Sequence, residues 1–210
     1  MLKRIDPSPI AAILLLAHLA ALVFGLVGLL YVLPNLAKFA SDPNALKVYD
    51  WSMKYAGATH IIFGAAAMLA WSWRFLGRRR TLIFAVASYC ISLTSELIGT
   101  GTGWPFGNYS YASFLGWKVL DHVPYTIPMS WFYMGLASYM IGSVVAEHLG
   151  RLSGVMVPAL LGAWFLTVWD LVLDPAMAHS SLRVQFWVWH QHGAYFEMPI
   201  RNLIGWTLTG

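Results

Sequence analysis

Long stretches without a charged residue constrain this chain more than any other feature. A helix needs roughly 20 mostly apolar residues to cross a bilayer about 30 Å thick, and a soluble helix of that length needs a polar face. Only 10% of the 210 residues are charged, whereas soluble domains have about 25%. The chain is therefore predicted to be an integral membrane protein. Five stretches lack Asp, Glu, Lys and Arg: 8–33, 55–73, 81–95, 123–146 and 152–169.

These stretches predict an all-α fold: a polytopic transmembrane bundle of about six helices that forms a single integral membrane domain over residues 1–210. Because a helix cannot end in hydrocarbon with open carbonyls, the short helix that begins near Ile200 indicates a C-terminal truncation or an unusual docking of the last segment. The other predicted helices lie at about 9–33, 56–76, 81–99, 125–148 and 153–173.

Basic residues predict the orientation. The arginines at 78–80 lie between the second and third predicted helices, and under the positive-inside rule they mark the cytoplasmic side. Lys3, Arg4 and Arg151 agree with this assignment. The opposite face then receives three long connections, at residues 34–55, 100–124 and 174–199.

Two of these connections are aromatic and rich in Gly and Pro. Residues 99–125 read GTGTGWPFGNYSYASFLGWKVLDHVPY, and residues 174–199 read DPAMAHSSLRVQFWVWHQHGAYFEMP. Loops this long in compact proteins are usually functional. Trp and Tyr also concentrate at membrane interfaces, so the alternative is an aromatic belt that only anchors the protein.

Acidic residues gather on the same predicted face. A carboxylate in an apolar helix costs roughly 3 kcal/mol and indicates a functional site, and two carboxyls one helical turn apart are typical of acid–base chemistry. Asp170 and Asp174 have this spacing in WDLVLDP. In the structural alternative, Asp170 pairs with Arg183 or Arg201, and Asp174 caps a turn before Pro175. The acidic residues of this face are Glu96, Asp121, Asp170, Asp174 and Glu197.

Other motifs do not indicate a cofactor. WHQH places His190 and His192 at alternate positions, but a membrane di-iron oxygenase needs a larger histidine set. The Gly-rich stretch 99–103 follows no predicted strand and is interpreted as a helix C-cap and loop. Cys90 is the single cysteine, and neither a Walker loop nor a nucleophile elbow is present. We expect no metal, no organic cofactor and no nucleic-acid partner.

Four blocks in this order resemble one family. Together they are similar to the carotenoid 1′,2′-hydratases, that is, the cyanobacterial γ-carotene 1′-hydratase and the haloarchaeal bisanhydrobacterioruberin hydratase. The cyanobacterial form is the closer match, through HIIFGAAAM at 60–68. The resemblance runs from about residue 55 to the end. The blocks are ELIGTGTGWPFGNYSY (96–111), VPYTIPMSWFYMG (123–135), WDLVLDP (169–175) and FEMPIRNLIGW (196–206).

The resemblance implies a cofactor-free addition of water to the terminal C1′=C2′ double bond of an acyclic, γ-carotene- or lycopene-like end group. It also implies residence in a prokaryotic cell membrane, or in a cyanobacterial thylakoid or plasma membrane. The residues fit this chemistry, because protonation of the alkene gives a tertiary cation that aromatic faces and carboxylates stabilise, and a general base then deprotonates the water. We predict catalytic roles for Glu96, Asp170 and Asp174, without separating acid from base. The predicted substrate-binding residues are Asn108, Tyr109, Tyr111, Trp131, Trp169, Trp189 and Asn202, and the two asparagines are candidates for orienting the water.

Three other readings stay open. A non-catalytic carotenoid-binding protein needs the aromatic cleft but not the carboxyls. A proton-coupled transporter usually places its carboxylates near the midplane, often with inverted repeats. A cyclase or isomerase would use the same protonated cation. The expected partners are a hydrophobic carotenoid and membrane lipid, and the sequence does not determine the oligomeric state.

Overall fold

The computed structural model describes residues 8–150 and 154–210. Lys3, Arg4 and Arg151, which were used to predict the orientation, lie outside these ranges. Helices dominate the described residues, and the prediction of an all-α membrane helix bundle is confirmed. The helices are α1 (Pro9–Val27), α2 (Leu36–Phe39), α3 (Pro43–Phe75), α4 (Arg78–Thr102), α5 (Thr126–His148), α6 (Met156–Ala178) and α7 (Arg201–Thr209).

Four helical segments are long and apolar enough to cross a membrane, by length and composition. The first runs from α1 through a π-helical and a 3₁₀ segment into α2 without a break. The 33 residues of α3 span about 50 Å at the helical rise, which exceeds the thickness of the hydrocarbon, and α3 is not among the four. The four segments are Pro9–Phe39, Arg78–Thr102, Thr126–His148 and Met156–Ala178.

The connection predicted at 34–55 is wrong, because α3 begins at Pro43. The Asp42 carboxylate accepts a hydrogen bond from the Asn44 N–H at 2.8 Å, and Pro43 occupies the first helical position, which is a strong helix start. The charges of Lys47 and Lys54 interrupted the apolar pattern. They indicate contact with water, but they do not prevent a helix.

Two helix ends also differ from the prediction. α4 continues through most of the Gly-rich stretch and is capped by Gly103, which has φ +74° and donates its N–H to the Gly99 carbonyl. α6 passes through Pro175 and reaches Ala178. Proline cannot donate to the carbonyl four residues earlier, and the Tyr195 phenol donates to that carbonyl, of Leu171, at 3.1 Å instead.

Glycines bring α5 and α6 into close contact. A Cβ atom on Gly162 would lie 2.9 Å from the Tyr139 Cα, and one on Gly142 would lie 2.7 Å from the Pro158 carbonyl oxygen. Close backbone approach at small residues is a common way for helices to associate in a membrane. α1 packs on α3, and α3 packs on α5.

The two long aromatic connections meet as a small antiparallel sheet. β1 (Tyr109–Tyr111) pairs with β4 (Trp187–Trp189), and Tyr109 lies opposite Trp189 while Tyr111 lies opposite Trp187. A shorter hairpin joins β2 (Lys118–Val119) to β3 (Val123–Pro124). Alternate strand residues share a face, so the two tyrosines and the two tryptophans of β1 and β4 point together. α7 then packs back against α6.

Candidate functional site

Three carboxyl groups from two helices line one cavity. Glu96 lies in α4 and is 4% exposed, whereas Asp170 and Asp174, one turn apart on α6, are 0% and 2% exposed. The cost of burying such groups is offset only by hydrogen bonds or a shared proton. The partners of each carboxyl therefore decide which chemical form it favours.

Glu96 accepts hydrogen bonds from three side chains. Its Oε2 accepts from the Tyr111 hydroxyl at 2.8 Å and from the Tyr109 hydroxyl, and its Oε1 accepts from Trp131 Nε1 at 3.0 Å. In all three bonds the partner supplies the hydrogen atom and a carboxyl oxygen of Glu96 accepts it. This arrangement stabilises Glu96 as a carboxylate.

The two aspartates are joined by one amide. Asn202 Nδ2 donates to Asp170 Oδ2 at 2.6 Å and to Asp174 Oδ2 at 2.5 Å. Asp174 Oδ1 also accepts from Trp187 Nε1 at 2.6 Å. Asp170 Oδ1 is buried and has no hydrogen-bond partner among the described residues. Of the two carboxyls, Asp170 is therefore the one with a free position for a proton.

The tyrosines beside Glu96 remain protonated over a wide pH range. Burial and then the charge of Glu96 raise the pKa of Tyr109 and of Tyr111 well above the ordinary value of about 10. Both phenols are therefore reliable hydrogen-bond donors at neutral pH.

Aromatic rings form much of the surrounding wall. Trp131 stacks on Trp206 with ring centroids 4.4 Å apart and planes at 27°. The ring centroids of Tyr109 and Trp189 are 5.2 Å apart, and those of Tyr111 and Trp187 are 6.1 Å apart. Electron-rich faces of this kind attract a cation, and more strongly where water is excluded.

The cavity has a volume of about 390 Å³ and is mostly apolar. Its lining also includes His18 and His60, whose rings stack at 4.6 Å. The distance from His18 Nδ1 to the His60 carbonyl oxygen is 2.8 Å. An apolar cavity with a few polar groups in its lining is typical of a site for a hydrophobic small molecule.

The structure brings together most of the predicted site residues. The cavity is lined by all three predicted catalytic carboxyls and by Tyr109, Tyr111, Trp131, Trp169, Trp189 and Asn202.

Asn108 is not brought to the site. It is exposed and does not line the cavity, and its backbone bonds to Gln191 and His190. Asn202 lies in the site, but it bridges two carboxyls. Since its Nδ2 is already shared between them, Asn202 holds the aspartates in place, a role the sequence did not indicate.

The acidic residues outside the cavity have other surroundings. Asp121 is an exposed loop residue with φ +60°. Glu197 accepts from the Ser180 N–H at 2.8 Å and from the Ser180 hydroxyl at 2.5 Å, and these bonds lower the pKa of its carboxyl. Asp170 hydrogen-bonds to Asn202, and not to Arg183 or Arg201 as the structural alternative required.

Sequence reasoning missed Trp187 and Trp206. Trp187 alternates with Trp189 in WVW, and this strand period indicates that both rings share a face. Trp206 follows Asn202 by four residues, which puts both on one side of a helix. Both signals were present in the sequence, although neither fixed the partner that each ring contacts.

Among the described residues, no three or more His, Cys, Asp or Glu side chains are arranged so that they could hold one metal ion. In the WHQH motif, His190 Nε2 lies 2.8 Å from the Ser110 hydroxyl. This histidine therefore ties β1 to the segment after β4 on the exposed side of the sheet.

Comparison with known proteins adds two findings. The model of the family described as "Carotenoid biosynthesis protein" matches residues 56–210. Bisanhydrobacterioruberin hydratase of Haloarcula japonica is 29% identical over 194 residues, which are 90% of this chain and 60% of that protein. The chain thus spans about 60% of the length of this relative. No solved structure matches the chain.

Proposed function

This chain belongs to the family of carotenoid biosynthesis proteins, and from that premise we propose that it is a carotenoid 1′,2′-hydratase. The substrate is an acyclic end group of the γ-carotene or lycopene type. Water adds across the terminal C1′=C2′ bond and gives a tertiary alcohol, with no change of oxidation state and no cofactor. The protein works within a prokaryotic cell membrane or a cyanobacterial thylakoid or plasma membrane.

One observation carries this proposal: two buried aspartates share a single amide donor and lie in the same cavity as a glutamate that has three donors. Two buried carboxyls this close cannot both ionise cheaply, so the pair is suited to hold one proton. The glutamate is suited to remain negative. A site with one acid and two anions meets the needs of alkene hydration.

The hydrogen bonds support an assignment of catalytic roles within this proposal. Asp170 is the general acid, because its Oδ1 has no donor, and it transfers its proton to C2′. The electrons of the double bond form the new C–H bond and leave a tertiary cation at C1′. Asp174 is the unprotonated member of the aspartate pair, and hydrogen bonds from Trp187 and Asn202 stabilise it as an anion.

Glu96 and the aromatic wall stabilise the cation. A negative carboxylate and the faces of Trp131 and Trp206 offset the positive charge without forming a bond to it. Water then attacks C1′, and the proton that it loses passes to a carboxylate of the aspartate pair, which restores the starting state. Water supplies the hydroxyl oxygen and, over the whole cycle, the proton at C2′.

A binding protein without catalysis is the main alternative. It would use the aromatic cavity, but it would have no need for Asp170 to carry a proton. A bacterial host that makes lycopene or γ-carotene, grown in H₂¹⁸O, separates the two readings. We expect a pigment heavier by one water that carries the label.

Asp170→Asn should lower the initial rate at which this pigment forms by about 10²–10⁴-fold, the usual contribution of a general acid. Asp121→Asn is the matched control, because Asp121 is exposed and lies outside the cavity. Near-normal hydration by well-inserted Asp170→Asn protein would remove Asp170 from the mechanism. Unlabelled pigment with normal carotenoid binding would favour the binding protein.

A further inference from the structure

We propose that the substrate reaches the carboxyls through a lateral opening between α1 and α6, and that the polyene body stays in this opening while the end group reacts. Gly25 keeps the opening wide. The identity of the ligand rests on the proposed function, whereas the opening itself is argued from the cavity and its walls.

One wall of the cavity is a single face of α1. The residues of this face recur at intervals of three and four, the helical period. α1 packs against α3 and α6 packs against α5, but α1 and α6 make no extensive contact with each other. The cavity therefore continues into the gap between these two helices. The residues of α1 and the π-helical turn after it that line the cavity are His18, Ala21, Leu22, Gly25, Leu26 and Leu29.

The side chains at this gap face outward. Leu26 is 46% exposed and Val172 is 65% exposed, yet both line the same cavity as the buried aspartates. Trp169, also in the lining, is 46% exposed. All three are apolar, and residues 8–33 carry no charge. The opening therefore faces hydrocarbon, which is the medium of a carotenoid.

The size of the cavity requires such an opening. A volume of about 390 Å³ lies near the lower end of sites for drug-sized ligands. It can enclose the end group and the first part of a chain, but a long, stiff polyene must pass out of the protein. An exit to the membrane keeps the rest of the polyene in an apolar medium.

Gly25 and Gly28 provide a matched pair of positions. Both lie on the first membrane segment, and a Cβ atom added at either would meet nothing within 4 Å. Of these two glycines, Gly25 lines the cavity and Gly28 does not. A side chain at either glycine can therefore begin without a clash at its Cβ atom. A large side chain at Gly25 narrows the opening, whereas the same change at Gly28 leaves it free.

The test compares Gly25→Phe with Gly28→Phe on two substrates. The first is the carotene, and the second is a short acyclic isoprenoid with the same terminal alkene, which the cavity can enclose. Gly25→Phe should lower hydration of the carotene by roughly tenfold or more, as expected when a substrate is misplaced. Measured against Gly28→Phe, it should lower hydration of the short substrate much less than hydration of the carotene.

A second pair of variants examines the opposite side of the opening. Val172→Phe should have the same chain-length dependence as Gly25→Phe. Val168→Phe should not, because Val168 is 38% exposed on the same helix and does not line the cavity.

Carotene binding, followed by quenching of tryptophan fluorescence, keeps this test independent of catalysis. If the wild type binds carotene without hydrating it, the proposed function fails, and weaker binding by Gly25→Phe than by Gly28→Phe still supports the opening. Equal behaviour of Gly25→Phe and Gly28→Phe on the carotene overturns the opening. Equal loss of both substrates in Gly25→Phe also overturns it, since the site itself would then be disturbed.

Discussion

The hydrogen bond between Tyr111 and Glu96 gives a prediction whose size follows from the structure. The phenol donates to Glu96 Oε2 at 2.8 Å, and both side chains are buried. A hydrogen bond to a charged group contributes about 1.5–3 kcal/mol, whereas one between neutral groups contributes about 0.5–1.5 kcal/mol. The free energy that this hydrogen bond contributes therefore indicates whether Glu96 is charged.

A double-mutant cycle isolates this difference. Tyr111→Phe should cost about 1.5–3 kcal/mol of unfolding free energy in the wild-type background. In the Glu96→Gln background it should cost about 0.5–1.5 kcal/mol, because glutamine offers only a neutral acceptor. The coupling free energy is therefore expected to be about 1–1.5 kcal/mol. Titration of the purified protein in mild detergent with a denaturing detergent, followed by tryptophan fluorescence, measures it.

Tyr195→Phe is the control for this cycle. Tyr195 donates to the neutral Leu171 carbonyl at 3.1 Å, and it does not contact Glu96. Its effect should therefore add to that of Glu96→Gln within about 0.3–0.5 kcal/mol. A coupling for Tyr111 no larger than this control value would refute the assignment of Glu96 as a buried anion.

Three further predictions follow from the packing and the site. Asn202→Leu removes the shared donor of the aspartate pair, so we expect a loss of about 1–3 kcal/mol in unfolding free energy and a fall in labelled pigment, with no such fall in the Asp121→Asn control. The pKa values of Tyr109 and Tyr111 are higher in the folded than in the unfolded protein, so their contribution to stability is present below about pH 10 and is lost as the pH rises above it. Phenolate absorbance should show that these two tyrosines ionise only when the protein unfolds. Ionisation at a pH below that of unfolding would contradict their burial. Gly162→Ala should destabilise the α5–α6 contact by about 1–3 kcal/mol through overpacking, whereas Gly135→Ala, where a Cβ meets nothing within 4 Å, should not, as denaturant titration of both variants would report.

The sequence by itself determined the membrane helices and the residues available for chemistry. Placing an ion in hydrocarbon is costly, so helices that cross a membrane leave long stretches without charge in the sequence. For this reason α1, α4, α5 and α6 were predicted nearly at their observed positions. The family blocks were also visible in the sequence, and the family match over residues 56–210 agrees with them. Asp170 and Asp174 were recognised from helical spacing alone.

The sequence was less informative wherever two distant segments meet. The start of α3 was missed because charges signal solvent, whereas the Asp42 cap and Pro43 set the backbone. The path of α6 through Pro175 depends on a hydroxyl supplied by Tyr195, twenty residues later in the chain. No local pattern contains that partner.

The tertiary structure alone decided how the carboxyls differ. Pairing of β1 with β4 brings Trp187 to Asp174, and the return of α7 places Asn202 between the aspartates. Tyr111 reaches Glu96 from strand β1. In sequence these three acids are chemically alike, because a carboxyl group is the same wherever it occurs. Their surroundings differ because folding gives each carboxyl a different set of hydrogen-bond donors, and that set depends on residues far apart in the chain.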